Sequence, residues 1–546
     1  MCGFFGYIGS SIPASKLEEN FERIQYRGPD NTSFKKIGQK VNLMFHRLAI
    51  IGSNADGGQP MQLPNDDNHT LICNGEIYNY KDLNKKYGFP SHTGSDCEVI
   101  LHLYKKFGIK KTVMLLDGVF AFVLYDKKLD IMFSARDPFG VRPSFFGFNN
   151  GEYLIASEAK VISDLCEIVY PFPPGSWWGS DSPSSFVSYY NHRYDYDDRP
   201  NDDSYILSNI RNKLVSAVEK RLMSEREIGC LLSGGLDSSL IAALVCKMNN
   251  GFRLKDGKWT LDKSIKPSKI KTFSIGMSGS PDLKYAKIVA DYIGSEHHEV
   301  LLTQEEFLLA IEEVVYKIES YDTTTVRASV GNYLVSKYIK DNTDCKVIFN
   351  GDGSDEVCCG YVYNINAPSP HALHEESLKL LRDIHFFDVL RSDRSISSNG
   401  LEPRTPFLDK DFVDFYMSIS SDKKMFDKKN RIEKHLLRKA FEKDKLLPHD
   451  ILWRHKCAFS DGVSDIKKSW HEIIKEFVDR KITDEEFALE GKQMIHCKPV
   501  LKESFYYRKL FLSYFPNCLN LIPYFWMPNW SNSNDPSARE LSNYQE

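Results

Sequence analysis

Residues 227–239 read EIGCLLSGGLDSS. The apolar run 228–232 has the composition of a buried strand, the two glycines make a turn, and the pattern from 239 to 248 is helical. A strand that turns through glycine into a helix presents backbone N–H groups and the positive end of a helix dipole, which favour an anion. Gly234 and Gly235 allow the main chain to approach a pyrophosphate closely, and the hydroxyls of Ser233 and Ser238 add donors. Asp237 is a carboxylate inside that anion site, so phosphate would repel it unless a cation intervened. It reads as a Mg²⁺ ligand. No Gly–Lys–Ser/Thr follows, which excludes a Walker A loop. Taken alone, a Gly–Gly turn at a helix start is ordinary, as are Asp and Ser near an N-cap.

Around this unit strands and helices alternate. A helical pattern at 205–222 precedes it. Strands at 271–275, 299–302 and 346–350 follow, separated by helices at 282–293, 305–318 and 330–339. That alternation predicts a parallel sheet wrapped by helices. Beyond Pro370 the pattern is mainly helical, and the polar stretch 249–269 reads as a surface insertion. The first half has a different grammar. Short strand-like segments at 2–8, 44–51, 70–73, 119–125, 131–135 and 153–156 are punctuated by turns such as Pro29 with Asp30, and one helix is expected at 96–107. Antiparallel sheets follow from this. The aromatic, polar stretch 177–203 reads as a connector. Two domains are expected, 1–200 and 205–546: an antiparallel β-sandwich flanked by helices, then a parallel α/β sheet with a helical C-terminal part.

The bulk numbers agree. A chain of 546 residues exceeds one hydrophobic core, and 42% apolar with 26% charged residues is the balance of a globular protein. Net charge is -4, with no basic tract, which argues against nucleic acid as a partner. No stretch approaches the roughly 20 apolar residues of a membrane span, and MCGFFGYIGS lacks the features of a secretory signal. The 12 cysteines form no paired metal-ligand spacing apart from the adjacent Cys358 and Cys359. Free thiols and a cytoplasmic location are expected.

Removal of Met1 would expose Cys2 as the N-terminus, with its own α-amino group as a base beside the thiol. Such a residue can attack a carboxamide without a histidine. Asn74 and Gly75 could supply an amide side chain and an unhindered N–H to an oxyanion. Arg47, Glu76 and Asp96 suit the charged ends of a free amino acid. A lone cysteine opening a strand is usually just a small apolar residue. Here it stands in an ordered set: CGFFGYIG, YRGPDN, HRLAI, GGQPM, NGEIYNY, GSDCE, LDGVFAFVLYD and RDPFGVRPSFF. Together these resemble the glutaminase domain of the N-terminal-nucleophile amidotransferases. The resemblance implies an Ntn-hydrolase-like sandwich, Cys2 as nucleophile, Asn74 and Gly75 as oxyanion hole, and Arg47, Asn74, Glu76 and Asp96 on glutamine. It also implies that Arg27 and Gly28 lie in a segment closing over the substrate.

A second acidic cluster, GDGSDE at 351–356, follows the strand ending at 350. Strand ends in a parallel sheet face the ligand crevice, so it can meet the SGGLDSS loop over one nucleotide. SGGLDSS resembles the pyrophosphate loop of the ATP-pyrophosphatase (adenine nucleotide α-hydrolase-like) family. That likeness implies ATP as substrate with Mg²⁺, held by Asp237 and Asp355. It also implies Ser274, Ile275 and Gly276 bordering the adenine and main-chain contacts from Leu232 and Gly351. The segments SYDTTTVRAS, SPDLKYA, LEPRTPFLD and RHKCAFSDG, with the endings YFWMPNW and DPSAREL, resemble the synthetase half of asparagine synthetases. By that likeness Thr324, Thr325 and Arg327 lie near aspartate or its adenylate, and Lys456 reaches the departing pyrophosphate.

One departure stands out. The family form of the cluster is GEGSDE, whose Glu handles a proton during ammonia attack; here the position is Asp352, one methylene shorter. Asn350 stands where serine is expected, and Cys358 and Cys359 replace a glycine-containing spot. The expectation is glutamine-dependent asparagine synthesis with small molecules as partners, and the likeness leaves room for a homodimer. The rival readings are the same architecture acting on another carboxylate, and a catalytically impaired regulatory relative.

Overall fold

The computed structural model describes residues 1–52, 55–192, 194, 202–427, 431–456, 462–465, 468–531 and 533–536. The first half is built on two antiparallel sheets. One has six strands in the spatial order Asn31–Ile37, Val41–Arg47, Gly3–Ile8, Glu152–Ala156, Phe145–Asn149 and Ile168–Pro171. The other has five: Val187–Ser188, Ser176–Gly179, Ile131–Arg136, Gly118–Asp126 and His69–Ile77. Side chains alternate across each strand, so one sheet can serve two cores. Phe4, Ile8, Leu43 and Phe45 face Ile72, Val123, Tyr125 and Trp178 between the sheets. Phe5, Tyr7 and Met44 point outward to Leu17 and Phe21 of the helix Ala14–Glu22. On the other outer face, Leu71, Phe120 and Phe122 pack on the helix Glu98–Leu115. The strand Gly3–Ile8 is therefore buried on both sides, which explains its unbroken apolar reading.

The antiparallel sandwich agrees with the sequence reading, with differences in detail. The helix expected at 96–107 runs Glu98–Leu115. Gly108, at φ 73°, breaks it where the pattern stopped, and the helix then resumes. The helices Ala14–Glu22 and Tyr80–Tyr87 were not expected. They show too few apolar residues to give a period, with Leu83 the buried residue of the second. The stretch 177–203 carries strand residues in part, Ser176–Gly179 and Val187–Ser188, while 195–201 lie outside the described residues.

The second half is a five-stranded, wholly parallel sheet in the order Glu296–Leu301, Lys271–Gly276, Glu227–Leu231, Cys345–Phe349 and Glu402–Arg404. Val347 and Phe349 face the helices Asp203–Lys220 and Leu236–Asn249. Cys345 and Ile348 face Gln304–Ile318 and Thr323–Asn342 on the other side. The first of those two helices starts on a Thr303–Glu306 capping box, and Asp322 caps the second. The last strand was not expected. It is three residues long and contains Pro403, which a central strand would not tolerate but an edge strand does. The insertion 249–269 holds a hairpin, Phe252–Lys255 with Lys258–Leu261, turned through Asp256 and Gly257 at φ 48° and 72°.

The halves meet through the helix Asp388–Ser397 and the strand Glu402–Arg404. Arg27 reaches Glu158 at 2.6 Å and Asp393 at 3.0 Å, and Lys160 reaches Glu158 at 2.5 Å. Arg394 lies 3.6 Å from Glu319. All these side chains are buried, where a charge without a partner costs several kcal/mol, roughly 3–5 when one member of a pair is lost. The network therefore holds the two halves in one arrangement.

Candidate functional site

Two pockets stand out, one in each half. The first is lined by Cys2, Arg47, Asn74, Gly75, Glu76, Ser95, Asp96 and, from the second half, Glu402. Cys2 opens the doubly buried strand. Its Sγ accepts from the Leu48 N–H at 3.4 Å, and burial pushes its thiol up to about 11. Met1 precedes it here, 1% exposed, with its ammonium donating to the Leu401 carbonyl at 3.2 Å. Asn74 and Gly75 sit on the strand His69–Ile77 opposite Ala121 and Phe120. Neither polar atom of the buried Asn74 carboxamide has a hydrogen-bond partner. A Cβ on Gly75 would stand 2.5 Å from the Val119 carbonyl, so only glycine fits.

The acids of this pocket are starved of water. Burial pushes Asp96 up to about 6, although its Oδ2 accepts from the Ile77 N–H at 2.6 Å. Burial, then the nearby Glu402 and Asp96 charges, push Glu76 well above the usual carboxylate range. Arg47 donates to the Gly52 carbonyl. Arg27 takes a different place from the one expected of a closing segment. Its side chain is fully buried, and its Nε donates to the Cys2 carbonyl at 3.0 Å. A Cβ on Gly28 would overlap the His46 carbonyl at 2.2 Å, so this stretch is packed down against the sheet.

The second pocket encloses ≈ 1150 Å³ including its open mouth and is lined by both motif turns. Gly234 adopts φ 72° and Gly235 precedes the first residue of the helix Leu236–Asn249. A Cβ on Gly351 would come within 2.7 Å of the Ser238 nitrogen, so the two turns touch. Leu232, Ser233, Gly235, Asp237, Ser238, Ile275, Gly351, Asp352, Asp355 and Lys456 all line this pocket. Ser233 and Ser238 hydroxyls lie 3.0 Å apart. Asp237 accepts from the Ser354 hydroxyl at 2.8 Å.

One acid here, Asp355, is in the opposite state. The Lys434 ammonium lies 2.5 Å from both Asp237 and Asp355, and Lys456 also pairs with Asp355. Burial alone would push the Asp355 carboxyl up, but the two ammoniums outweigh it and hold it well below the usual range. Burial raises Asp352 despite the Arg391 guanidinium 2.8 Å away, and Asp388 shares that arginine. Glu356 is pushed up to about 8 by burial and by Asp388 and Asp355, and accepts from the Tyr361 hydroxyl at 2.6 Å.

Some of the expected residues do not line this pocket. Thr324, Thr325 and Arg327 lie outside the lining of this pocket, as do Gly234 and Gly276. Thr324 and Thr325 hydroxyls donate to Asp322 at 2.7 and 2.8 Å. The Arg327 guanidinium is buried between Glu503 and Asp535, at 2.5 and 2.7 Å, with His471 beside it. The helix that carries these residues gives Asn332 and Val335 to the pocket instead. Cys358 and Cys359 are buried free thiols. Of RHKCAFSDG, residues 457–461 lie outside the described residues, as does most of DPSAREL.

Lys434, Arg391 and Asp388 were missed by sequence reasoning. Asp388 and Arg391 lie in a charge-rich helix and Lys434, at a left-handed φ of 57°, just before the helix His435–Phe441, and in the sequence all three read as solvated charges.

Two family models match the chain. One described as a glutamine amidotransferase domain matches residues 1–171, and one described as asparagine synthase matches 209–369 and 363–532. A curated glutamine-hydrolysing asparagine synthetase from Cricetulus griseus is 43% identical over 575 residues, covering 100% of this chain and 99% of its own. The one from Homo sapiens is 42% identical over 571 residues with the same coverage. A solved structure, a glutamine phosphoribosylpyrophosphate amidotransferase from B. subtilis with ADP and GMP, matches at a TM-score of 0.32 and 18% identity. It covers 55% of this chain and 81% of that one.

Proposed function

The chain belongs to the family of glutamine-hydrolysing asparagine synthetases, and from that premise we propose how its two pockets divide the work. The activity is that of a carbon–nitrogen ligase: glutamine gives nitrogen, and aspartate becomes asparagine at the expense of ATP. Residues 1–200 are the glutaminase domain and residues 205–546 the synthetase domain. The observation that carries the division is the thiol of Cys2 in one pocket with the unpartnered Asn74 carboxamide, while the glycine turn and two acids form the other.

In the first pocket, Cys2 attacks the glutamine side-chain amide once Met1 is removed. Asn74 and the Gly75 N–H receive the oxyanion, and Arg47, Glu76 and Asp96 hold the substrate's charged ends. Ammonia leaves, and water releases glutamate from the thioester. The ammonia then passes inside the protein, because ammonia released to bulk water would be protonated.

In the second pocket, the loop from Leu232 to Ser238 receives ATP, with Ile275 and Gly276 by the adenine and Gly351 beside the phosphates. The aspartate β-carboxylate attacks the α-phosphorus, giving β-aspartyl-AMP and pyrophosphate, and ammonia displaces AMP. Asp237 and Asp355 converge on one cation, Lys434, a donor set of the kind that suits a hard divalent ion, so these two would hold Mg²⁺. That ion, when bound, would screen the charge of the phosphates. Lys456 offsets charge on the leaving pyrophosphate, and Asp352 takes the proton of the attacking ammonia. Thr324, Thr325 and Arg327 lie near the aspartate or its adenylate, and Arg327 also braces the C-terminal segment through Asp535.

No helix among the described residues is long and apolar enough to cross a membrane. The eleven described cysteines are all free thiols, which supports a reducing, cytoplasmic setting. A homodimer is the proposed assembly, checked by light scattering.

Product analysis with amide-¹⁵N-glutamine, aspartate and MgATP tests the scheme. Labelled asparagine with AMP and pyrophosphate is expected. Cys2→Ala abolishes labelling from glutamine while synthesis from added ammonium continues. Loss of both activities would refute the division.

A further inference from the structure

Glu402 belongs to the synthetase sheet, yet it lines the thiol pocket with Cys2, Asn74, Glu76 and Asp96. It comes from the edge strand Glu402–Arg404, which pairs in parallel with Cys345–Phe349, Val347 opposite Glu402 and Phe349 opposite Arg404. The Asn350 N–H then donates to the Arg404 carbonyl at 3.1 Å, just before the acidic turn of the nucleotide pocket. One strand pair thus reaches both pockets. Glu402 lines the thiol pocket, and Arg404 stands behind it with its guanidinium also donating to the Arg221 and Met223 carbonyls. Arg404 holds Glu402 Oε1 at 2.9 Å and lies 3.5 Å from Glu76 Oε2, and Arg142 lies 3.9 Å from the same Glu402 oxygen.

Glu402 is 4% exposed, so its carboxylate exists there only because arginines flank it. The shortest contacts from both arginines fall on Oε1, which leaves Oε2 the oxygen better placed to accept. The Met1 ammonium ends at the neighbouring Leu401 carbonyl, 3.2 Å away. Removing Met1 moves the terminal nitrogen by one residue, roughly 3.8 Å, along the same wall toward Cys2. With Met1 in place, burial pulls its amine down to about 6, and Glu402 is the largest charge that acts the other way.

We propose that Glu402 is a positioning residue of the glutaminase site, holding the α-amino group of the mature Cys2 and stabilising the ammonium it becomes. This rests on the reading of Cys2 as nucleophile. The thiol proton passes to the α-amine, and the sulfur electron pair forms the S–C bond at the amide carbon. The C–N bond then breaks as the ammonium returns that proton to the leaving nitrogen, which departs as ammonia. A buried ammonium–thiolate pair needs an anion beside the ammonium, and the synthetase half supplies it. Glutamine hydrolysis then depends on the docked second half even with no ATP or aspartate bound.

The test uses the full-length enzyme, with Met1 removal verified by mass, and Glu402→Gln, Glu402→Asp and Cys2→Ala. Glutamine hydrolysis alone and synthesis from ammonium are measured in parallel. For Glu402→Gln, kcat for hydrolysis falls about 10²-fold with KM nearly unchanged. The acidic limb of its pH profile moves to lower pH, because the amine loses the anion that favoured its charged form. Ammonium-dependent synthesis stays within about 2-fold of wild type, and Glu402→Asp recovers part of the hydrolysis. Equal loss of both activities would make Glu402 a strut of the sheet, and a rise in KM alone would assign it to the substrate's ammonium; either overturns the proposal, as does unchanged hydrolysis. Hydrolysis that survived Cys2→Ala would instead sink the nucleophile reading itself.

Discussion

Asp96 and Glu76 of the thiol pocket and Asp355 of the nucleotide pocket are buried carboxyls in opposite electrical states. In the thiol pocket, Asp96 and Glu76 are pushed toward their protonated forms, because burial removes water and the charge of Glu402 outweighs that of Arg404 at both. In the nucleotide pocket, Asp355 is held ionised although it too is buried, because Lys434 and Lys456 stand beside it. Burial is common to both, so the neighbour decides the state. The difference matches the ligands. A free amino acid brings an ammonium that can pair with a carboxylate only when it arrives. A nucleotide brings several negative charges, and acids near it must already be committed to a cation.

The strongest break of this comparison is removal of one acid from the cation pair. Asp355→Asn leaves Lys434 and Lys456 short of a partner and removes a proposed Mg²⁺ ligand. Asparagine formation, from glutamine or ammonium, is expected to fall about 10²–10³-fold, while glutamine hydrolysis holds. Equal loss of hydrolysis would show that the pockets are not electrically separate.

In the thiol pocket, Asn74→Ala should lower kcat for glutamine hydrolysis about 10²-fold or more, as removal of one oxyanion donor does. The Asn74 carboxamide has no hydrogen-bond partner in the fold, so the melting temperature should hardly change. A large drop in stability would make Asn74 a structural residue rather than a group waiting for substrate.

Lys434→Met sharpens the comparison from the other side. It leaves Asp237 and Asp355 facing each other with a partner lost, at a cost of about 3–5 kcal/mol in unfolding free energy. Added Mg²⁺ should restore part of this, because a cation that binds only the folded state stabilises it by mass action. Denaturation with and without the ion measures the difference. No recovery with Mg²⁺ would mean that the two acids do not form a divalent site.

How much of this was legible in the sequence depended on whether the signal was local. The loop at 233–239 and the cluster at 351–356 could be read because a glycine turn, its acids and its flanking strand are contiguous. The sheet classes were legible for the same reason, since period 2 and strand–helix alternation are local patterns. Lys434 was not, because its meaning comes from two acids 197 and 79 positions away that the fold brings to it. Glu402 was hidden further, in a three-residue strand with a proline at its centre. Arg327 shows the reverse: its motif could be read, but its partners Glu503 and Asp535 could not, and the structure gives its guanidinium to them. The strand start at Glu296 was also missed, because EHHEV alternates with too few apolar residues to declare itself.

The smallest effect is the most diagnostic of how the thiol pocket works. Asp96 sits near 6 in the free protein, against a usual value of 3.8. An arriving glutamine ammonium favours the ionised form, so binding at low pH must first drive a proton off this acid. The raised value makes the sign definite: above about 6 the acid is ready, and below it the competent fraction falls about tenfold per pH unit. KM for glutamine should therefore rise by up to about tenfold between pH 6 and 5, apart from the fall in kcat that protonation of the Cys2 α-amine brings. Over the same range the KM for MgATP in ammonium-dependent synthesis should show no such step, because Asp355 stays ionised beside its lysines. A KM for glutamine that stayed flat down to pH 5 would mean that Asp96 is already charged without substrate, and the contrast between the pockets would then rest on Glu76 alone.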